Sequence, residues 1–463
     1  MQEGTEDPDD AISIEEGGKR VWVHVADVAA IVSAGSPLEE EARTRAATLY
    51  APTGTVPMLP QAAASSLGLG LAKGAQPALS FGFTVDDDGY IEDVEVVRST
   101  VKVKRVSYEE ATSLIDEGKE PFASMDAIAQ RFKDRRDANG AVGFQFPEAE
   151  VSVSASGEIL VEELPQWESK DTVMEFMLMA GEACSQFAVD NEIPLLYSSQ
   201  DAPSDPNTGK PLPIKRPRTL SQMFDLMKRM QKSTSATTPD FHFGLGMGMY
   251  SQVTSPLRRY GDLLNHLQIA AFLAGREMRS GDELLELMGE IGAKTAAVKK
   301  CERFSRQWYA LRFLQGHADW EGEGVVLNTW QPKPLAPRVA TVLIVELGLF
   351  ASVKLRKETR PDEYIPVKLK EVKLVGMRAH FIHKSAPSPA PLRPGPAHRA
   401  RPCGREVLCC AQRGPSLDET LLVLRSIEPG QVYGTPESEK YSATKRLRKS
   451  VGTRLSSSLK RSG

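Results

Sequence analysis

The chain has 463 residues, of which 41% are hydrophobic and 25% are charged, and its formal net charge is -4. This composition is typical of a globular protein long enough for two or more domains. No run approaches the roughly 20 apolar residues that a membrane span requires, which argues against a spanning protein. The five cysteines show no paired metal-ligand spacing, so we expect neither a zinc module nor a disulfide scaffold. We expect the protein to reside in a reducing compartment.

The first part of the chain is predicted to form a sheet with flanking helices. Residues 11–15 and 20–25 alternate apolar and polar side chains around turn residues at 16–19, which predicts a β-hairpin. Four further segments have helical spacing or strand-like composition: a helix at 37–49, strands through 78–103, and helices at 107–117 and 124–139.

Helices dominate the predicted middle of the chain. The clearest covers 255–275, with Ser255 as N-cap, Pro256 at the first helical position and Gly275 at the end. Three other segments are assigned from apolar spacing and from Pro, Asp and Lys content: a largely buried helix at 168–189, a loop at 201–218 and a long helix at 281–316.

The pattern changes after residue 320. Four short β-type runs within 321–384 predict a small barrel. Residues 386–402 are rich in Pro, Ala and Arg and cannot build a core, and the end of the chain is basic and Ser-rich. We therefore expect 385–463 to be a disordered, low-complexity tail and the chain as a whole to have an α+β fold.

An acidic cluster of Glu6, Asp7, Asp9 and Asp10 lies immediately before the first predicted strand. Carboxylates this close together repel one another unless a hard cation lies among them, and oxygen ligands suit Mg²⁺ or Mn²⁺. Two such ions about 3.5–4 Å apart can activate phosphodiester hydrolysis. A solvated acidic segment is the alternative, and for a short motif taken alone it is the commoner outcome.

The second group of polar residues is the segment 254–262, with sequence TSPLRRYGD. Arg258 and Arg259 are expected in the first turn of the predicted helix, where free N–H groups and guanidinium groups can bind phosphate. Surface ion pairs are the alternative. The small-residue stretch 243–248 favours the phosphate site, because backbone without side chains can approach a ligand closely.

These segments together resemble the catalytic domain of the ribonuclease II family, whose members are processive 3′→5′ exoribonucleases. Four motifs carry the resemblance, in the family's order: TEDPDDA at 5–11, VHVAD at 23–27, VPMLP at 56–60 and TSPLRRYGD at 254–262. The resemblance covers residues 1–316 and is closest to the cyanobacterial and plant organellar branch. It implies a mixed sheet flanked by helices, and the barrel at 321–384 is similar to the family's OB-fold RNA-binding module.

The resemblance implies roles for matching residues. Asp7, Asp9 and Asp10 match aspartates that hold catalytic Mg²⁺, with Mn²⁺ as another possible ion, and Arg258 matches the arginine that stabilises the phosphate as it reacts. The residues implied in RNA binding are Tyr50, which would stack on the 3′-terminal nucleotide at the end of its helix, Tyr108, Glu175, Arg259 and Glu302, which would contact ribose.

Some of these residues have structural alternatives. Glu175 is a carboxylate on a buried helix and needs a partner, so it could form a structural ion pair with a nearby arginine or could position Arg258. His24 and His266 are interpreted as core histidines, because the implied chemistry requires none.

The implied function is Mg²⁺-dependent 3′→5′ hydrolysis of single-stranded RNA to nucleoside 5′-monophosphates, by a monomeric catalytic unit with no membrane partner. The family's first aspartate lies six positions before Asp7, where this chain has Met1, and the preceding cold-shock-type barrels are also missing. We therefore expect an N-terminal truncation, with a catalytically impaired RNA-binding paralogue as the alternative. An unrelated Mg²⁺ phosphohydrolase would leave the segment 254–262 unexplained. The expected compartment is a chloroplast or mitochondrion in a plant or alga and the cytoplasm in a bacterium.

Overall fold

The computed structural model describes residues 8–15, 18–71, 74–205, 208–210, 212, 216–334, 336–384 and 420–424. None of the helices in these ranges is long and apolar enough to cross a membrane.

The first half of the chain builds most of a sheet and helices that lie on both of its faces. In chain order its elements are β1 (Asp10–Ile14), β2 (Arg20–Ala26), α1 (Pro37–Arg45), β3 (Leu49–Ala51), β4 (Gly54–Val56), α2 (Gln61–Leu67), β5 (Gln76–Val85), β6 (Ile91–Val101), β7 (Val103–Ser107), α3 (Tyr108–Asp116), α4 (Phe122–Ala138), β8 (Ala149–Val153), β9 (Ile159–Glu163) and α5 (Glu168–Asp190).

The second half adds two more helices against the sheet, and then the barrel. Its elements are β10 (Tyr197–Ser199), α6 (Leu220–Arg229), β11 (Thr234–Ala236), α7 (Tyr260–Leu273), α8 (Gly281–Gly316), β12 (Glu321–Trp330), β13 (Val339–Ile344), β14 (Leu349–Lys354), β15 (Tyr364–Lys373), β16 (Arg378–His383) and β17 (Thr420–Leu424).

The central sheet has six strands in the order β6-β5-β2-β1-β17-β7. The predicted hairpin is confirmed, since β1 and β2 pair antiparallel with Asp10 opposite Val25. Side chains on one face of the sheet pack against α4 and α5, and those on the other face pack against α1, α7 and the start of α8. Because strand side chains alternate between faces, the hairpin contributes to both cores. Asp9, the residue before β1, is buried beside this hairpin.

The predicted barrel is also confirmed, as a closed five-stranded barrel in the order β12-β13-β14-β16-β15. The sequence predicted four of the strands and missed β16, whose polar and apolar residues give a weak strand signal. Leu311 and Leu314 at the end of α8 belong to the core of the barrel. One continuous 36-residue helix therefore packs against the sheet at its start and against the barrel at its end.

Two predicted helix boundaries were wrong, and one physical cause accounts for both. The helix predicted over 37–49 ends at Arg45, because Ala46 has a positive φ of 65°. Residues 46–48 pair with residues 258–260. The Tyr260 N–H donates to the Ala46 carbonyl (3.0 Å), and the Thr48 N–H donates to the Arg258 carbonyl (3.0 Å). Tyr50 therefore lies on β3 and not at a helix end.

The same pairing also moves the start of the helix predicted over 255–275, which is α7. This helix begins at Tyr260 and not at Pro256. The residues between them form a turn in which the N–H groups of Arg258 and Arg259 both donate to the Ser255 carbonyl. Ser255 is consequently not an N-cap, and Arg258 precedes the helix.

The sequence analysis also missed α2, α6, β17 and three strand pairs, namely β3 with β4, β8 with β9 and β10 with β11. The strand β17 falls within the predicted tail and pairs parallel to β1 and antiparallel to β7. The rest of that tail, 385–419 and 425–463, lies outside the described residues.

We call residues 255–259, which contain Arg258 and Arg259, the arginine turn. The helix α5 approaches the chain just before this turn closely, and the approach can be tested by its effect on stability. A Cβ at Gly181 would clash with the ring of Tyr250 and lie 2.7 Å from the Ser251 carbonyl oxygen. We expect Gly181→Ala to lower the free energy of unfolding by about 1–3 kcal/mol, measured by urea denaturation, because overpacking forces the backbone apart. Gly289→Ala is the matched control, since this exposed glycine of α8 has open space around it and Ala should add up to about 1 kcal/mol. An unchanged stability of Gly181→Ala would contradict the close approach.

Candidate active site

The acidic cluster and the arginine turn meet at Asp9, which is buried just before β1. Its Oδ1 accepts a hydrogen bond from the Leu257 N–H (2.8 Å), and its Oδ2 accepts one from Nε of Arg258 (3.0 Å). The Ala26 N–H donates to the Asp9 carbonyl (2.7 Å), which ties this residue to β2. Residues 249 positions apart in the sequence therefore share one charge-assisted contact.

Asp10, the first residue of β1, is the second carboxylate at this place. Within the described part of the chain, no donor forms a hydrogen bond with its side chain. Burial raises the pKa of Asp10 to about 6, although the positive charges of Arg258 and Arg259 act in the opposite direction. Asp10 is partly exposed, and a carboxylate with no hydrogen-bond donor is available to bind a cation.

Tyr108 is the first residue of α3, close enough to Asp10 for the charge of that carboxylate to act on it. Its ring is buried, and burial together with the negative charge of Asp10 raises the pKa of its hydroxyl. Its carbonyl accepts a hydrogen bond from Ser169 on α5 (2.8 Å). The Tyr108 ring is buried in this conformation, and its contact with RNA stays a prediction.

Tyr50 and Glu302 adjoin the arginine. The Tyr50 N–H donates to Oε1 of Glu302 (3.1 Å), joining β3 to α8. Burial raises the pKa of Glu302, against the effects of the Tyr50 N–H, Lys299 and Arg258. Burial would lower the pKa of Arg258, but the charges of Asp9, Tyr50 and Asp10 more than offset this effect and raise it. The guanidinium therefore stays charged within an acidic and aromatic setting.

Arg259 is held by Asp262, which lies three residues further along the chain, in the first turn of α7. Oδ2 of Asp262 accepts hydrogen bonds from Nη2 of Arg259 (2.7 Å) and from the Ser255 N–H (2.9 Å). The Asp262 carboxylate is fully buried, and its Oδ1 has no partner among the described residues. One buried carboxylate thus closes the turn and fixes the second arginine.

A second buried carboxylate, Glu39 of α1, holds the start of α7. It accepts hydrogen bonds from the Tyr260 hydroxyl (3.0 Å), from Nη2 of Arg279 (2.7 Å) and from the Gly35 N–H. Tyr260 directly follows the two arginines. The network therefore ties α1, the arginine turn and the segment leading into α8 into one unit.

This geometry agrees with comparisons to known proteins. The RNB domain model matches residues 1–275, which is more than half of the chain. The chain belongs to the ribonuclease II (RNB) family. It is 30% identical to an uncharacterized ribonuclease of Synechocystis, over 79% of this chain and 56% of that protein. It is 28% identical to the chloroplastic/mitochondrial ribonuclease II of Arabidopsis thaliana, over 78% of this chain and 46% of that protein.

Solved structures share the fold of this RNB chain. The Dss1 exoribonuclease of Candida glabrata, solved as an active-site mutant, superposes with a TM-score of 0.70 at 22% identity, covering 83% of this chain and 54% of that chain. Yeast Ssd1, described as a pseudonuclease, superposes with a TM-score of 0.56 at 17% identity, covering 75% and 49%. The chain spans about half the length of the curated relatives it matches.

Glu175 is a correction to the predicted site. It is buried on α5 and forms a two-pronged ion pair with Arg136, which also donates to the Leu245 carbonyl (2.9 Å). Burial raises the pKa of Glu175, while Arg136 acts against that rise. Of the two alternatives, the structural ion pair is present and the contact with Arg258 is not. With both charges enclosed, neither side chain is available to RNA in this conformation.

The two histidines are core residues of the RNB domain. His24 bridges the hydroxyls of Ser13 (2.9 Å) and Ser80 (2.7 Å), and burial lowers its pKa to about 3. Nε2 of His266 contacts the Val253 carbonyl (2.6 Å). Both are neutral at pH 7 and lie away from solvent.

The described carboxylates fit a hard cation in part. Asp10 offers a carboxylate without a donor, and Asp9 lies beside it, although Asp9 already accepts two hydrogen bonds. Asp7, the third predicted ligand, lies outside the described residues. In the ranges that the structure describes, no group of three His, Cys, Asp or Glu residues is placed to hold a metal ion. The fit therefore rests on the donor chemistry of Asp9 and Asp10.

Sequence reasoning missed Glu39, Tyr260 and Asp262 as parts of the site. The last two lie inside the motif at 254–262 and could have been singled out as its non-arginine polar residues. Glu39 gives no comparable signal, because a Glu in the first turn after Ser36 is a common feature of a capped helix.

The Glu39 network generates the prediction for this site. Tyr260→Phe should lower the free energy of unfolding by about 1.5–3 kcal/mol, because it removes a hydrogen bond to a buried charge without changing the packing. Urea denaturation checks it, and Tyr364→Phe, at an exposed position of the barrel, should change stability by less than about 0.5 kcal/mol. Equal stability of the two variants would show that the Tyr260 hydroxyl contributes nothing.

Proposed function

We propose that this chain is a divalent-metal-dependent 3′→5′ exoribonuclease that hydrolyses single-stranded RNA processively to nucleoside 5′-monophosphates. The observation that carries the proposal is the contact of Asp9 with Arg258 within an RNB domain. This contact puts a carboxylate able to bind a cation and a guanidinium able to bind a phosphate within one small volume. A bound cation can activate water and a guanidinium can stabilise charge on the phosphate, so the two groups together suit phosphodiester hydrolysis.

The metal would be held by Asp9 and Asp10, together with Asp7, with Mg²⁺ as the preferred ion and Mn²⁺ as a substitute. Such an ion supplies activation of a water molecule and stabilisation of negative charge on oxygen. Only Nε of Arg258 is used in its contact with Asp9, and the side chain keeps 19% of its exposure. Its two Nη groups therefore remain as donors for the scissile phosphate, where they would neutralise growing charge.

The nucleotide would be positioned by the residues around the arginine. Tyr50 would stack on the terminal base, and Glu302 beside it would accept a hydrogen bond from a 2′-hydroxyl, which distinguishes RNA from DNA. Arg259 would bind the next phosphate, and Tyr108 would lie close to Asp10. Because stacking and backbone contacts carry little base information, we expect weak sequence preference.

A catalytically impaired RNA-binding protein is the second candidate. One observation favours it, namely that the fold is shared with a protein described as a pseudonuclease, and the family resemblance implies a first aspartate at the position of Met1. Fewer carboxylates weaken the binding of a hard cation. The two candidates differ in whether RNA is shortened or only bound.

The first prediction separates these candidates with a time course on 5′-labelled single-stranded RNA. We expect full-length labelled RNA to disappear with Mg²⁺ and short 5′-labelled end products to accumulate with few intermediates, as processive hydrolysis from the 3′ end requires, and EDTA to stop cleavage because the carboxylates lose their ion. Asp9→Asn should abolish cleavage and leave filter binding nearly intact, whereas Asp87→Asn, at the exposed surface, should behave as the parent does. RNA that is bound but never shortened would favour the impaired paralogue, and no binding would refute both candidates.

The second prediction concerns the arginine. Arg258→Ala should slow cleavage by roughly 10²–10³-fold, as the loss of a donor to a developing oxyanion does. Single-turnover rates on labelled RNA measure the effect, and Arg229→Ala, at an exposed position of α6, should keep the parental rate. A parental rate for Arg258→Ala would remove this residue from the mechanism.

A further inference from the structure

The outward face of α8 carries three cations close together: Lys299, Lys300 and Arg303. Among the described residues, none of the three forms an ion pair or a hydrogen bond. Lys300 and Arg303 instead lie over the ring of Phe304, at 5.5 Å and 5.7 Å from its centroid. Cations that find no carboxylate on their own protein are available to an anionic partner.

Two aromatic side chains lie farther round the same helix: at about 100° per residue, Phe304 is next to Lys300, and Trp308 is about 180° from Lys299. Phe304 is 45% exposed and Trp308 is 38% exposed, which is unusual for rings of this size. They are four positions apart on a helix, so they are neighbours on consecutive turns. Trp308 is steadied by an edge-to-face contact with Tyr309, with ring centroids 4.7 Å apart. The rings thus offer two adjacent flat surfaces to solvent.

This face adjoins the candidate active site. Glu302, on the same helix, accepts the hydrogen bond from the Tyr50 N–H and feels the charge of Lys299. At about 100° per residue, Lys299 and Arg303 lie between Glu302 and the two rings. At about 1.5 Å per residue, Trp308 is about 9 Å further along the helix than Glu302.

The combination favours single-stranded nucleic acid over protein as the occupant. Unpaired cations bind phosphates, and exposed rings stack on bases of any sequence. A second copy of this chain in a two-fold contact would bring the same cations together, which repel one another. Charge complementarity therefore selects a polyanion that has aromatic faces.

We propose that Lys299, Lys300, Arg303, Phe304 and Trp308 form an RNA-binding surface, the α8 platform, that holds the strand upstream of the nucleotide being cleaved. The inference rests on the proposed function, because it takes single-stranded RNA as the substrate of the adjoining site. The platform would add affinity for long strands and leave short ones unaffected, since a short strand is held by the candidate active site alone.

The test measures binding by fluorescence anisotropy, using the full chain with Asp9→Asn so that RNA is not consumed. The probes are 5′-fluorescein oligoadenylates of about 20 and about 2 nucleotides, because at about 3.4 Å or more per nucleotide a strand of about 5 would already span the roughly 9 Å from Glu302 to Trp308. Phe304→Ala with Trp308→Ala should weaken binding of the longer probe at least about tenfold, as the loss of base stacking does, and should leave the shorter within about twofold. Replacing the three cations with Gln should reduce the slope of log K against log salt by about 2, since each phosphate contact with a single strand contributes about 0.7.

Leu285→Ala is the matched control, because Leu285 is an apolar residue of the same helix, 39% exposed and remote from the three cations. It should bind both probes as the parent does. Unchanged binding of the longer probe by the aromatic variant would overturn the platform while leaving the proposed function intact. A parental chain that binds neither probe would instead refute the proposed function. If light scattering showed that the parent is a dimer and the aromatic variant a monomer, the face would be a contact between copies and the proposal would be wrong.

Discussion

The contact between Asp9 and Arg258 is the constraint on which the arrangement of this domain depends. It joins the residue before β1 to the turn before α7, and the Leu257 N–H reinforces it on the other oxygen of the same carboxylate. A buried carboxylate is expensive to desolvate, so it persists only where charged and backbone donors compensate it. Asp9 meets both requirements, and the two remote segments are thereby fixed around one point.

Buried carboxylates behind the arginine turn extend this arrangement. Glu39 fixes Tyr260, and Asp262 fixes Arg259 and the Ser255 N–H, so the chain before and after Arg258 is anchored by carboxylates that solvent does not reach. The long helix α8 then connects the same region to the barrel through Glu302 at one point and Leu311 further along. Rigid elements that carry a site in this way hold its side chains more accurately than loops do.

Much of the fold could be predicted from the sequence, and the errors share a cause. Periodicity and capping residues predicted the hairpin, α5, α8 and the barrel, because local patterns specify these elements. The ends of α1 and α7 were wrong because residues 46–48 pair with 258–260, and no local pattern reports a partner so remote. For the site, the motifs predicted that Asp9 and Arg258 act together. They could not place Glu175 correctly, since a buried carboxylate on a helix does not reveal which arginine it meets, and Arg136 precedes it by 39 positions.

The most direct test of this account is a double-mutant cycle on Asp9 and Arg258, read as the free energy of unfolding in urea. The variants are Asp9→Asn, Arg258→Gln and their combination, all as the full chain. If the two side chains share the contact described here, the cycle should give a coupling energy of about 1–3 kcal/mol, because residues in direct contact do not contribute independently. Effects that add to within about 0.5 kcal/mol would show that the two side chains do not interact. The acidic cluster and the arginine turn would then not meet in one active site.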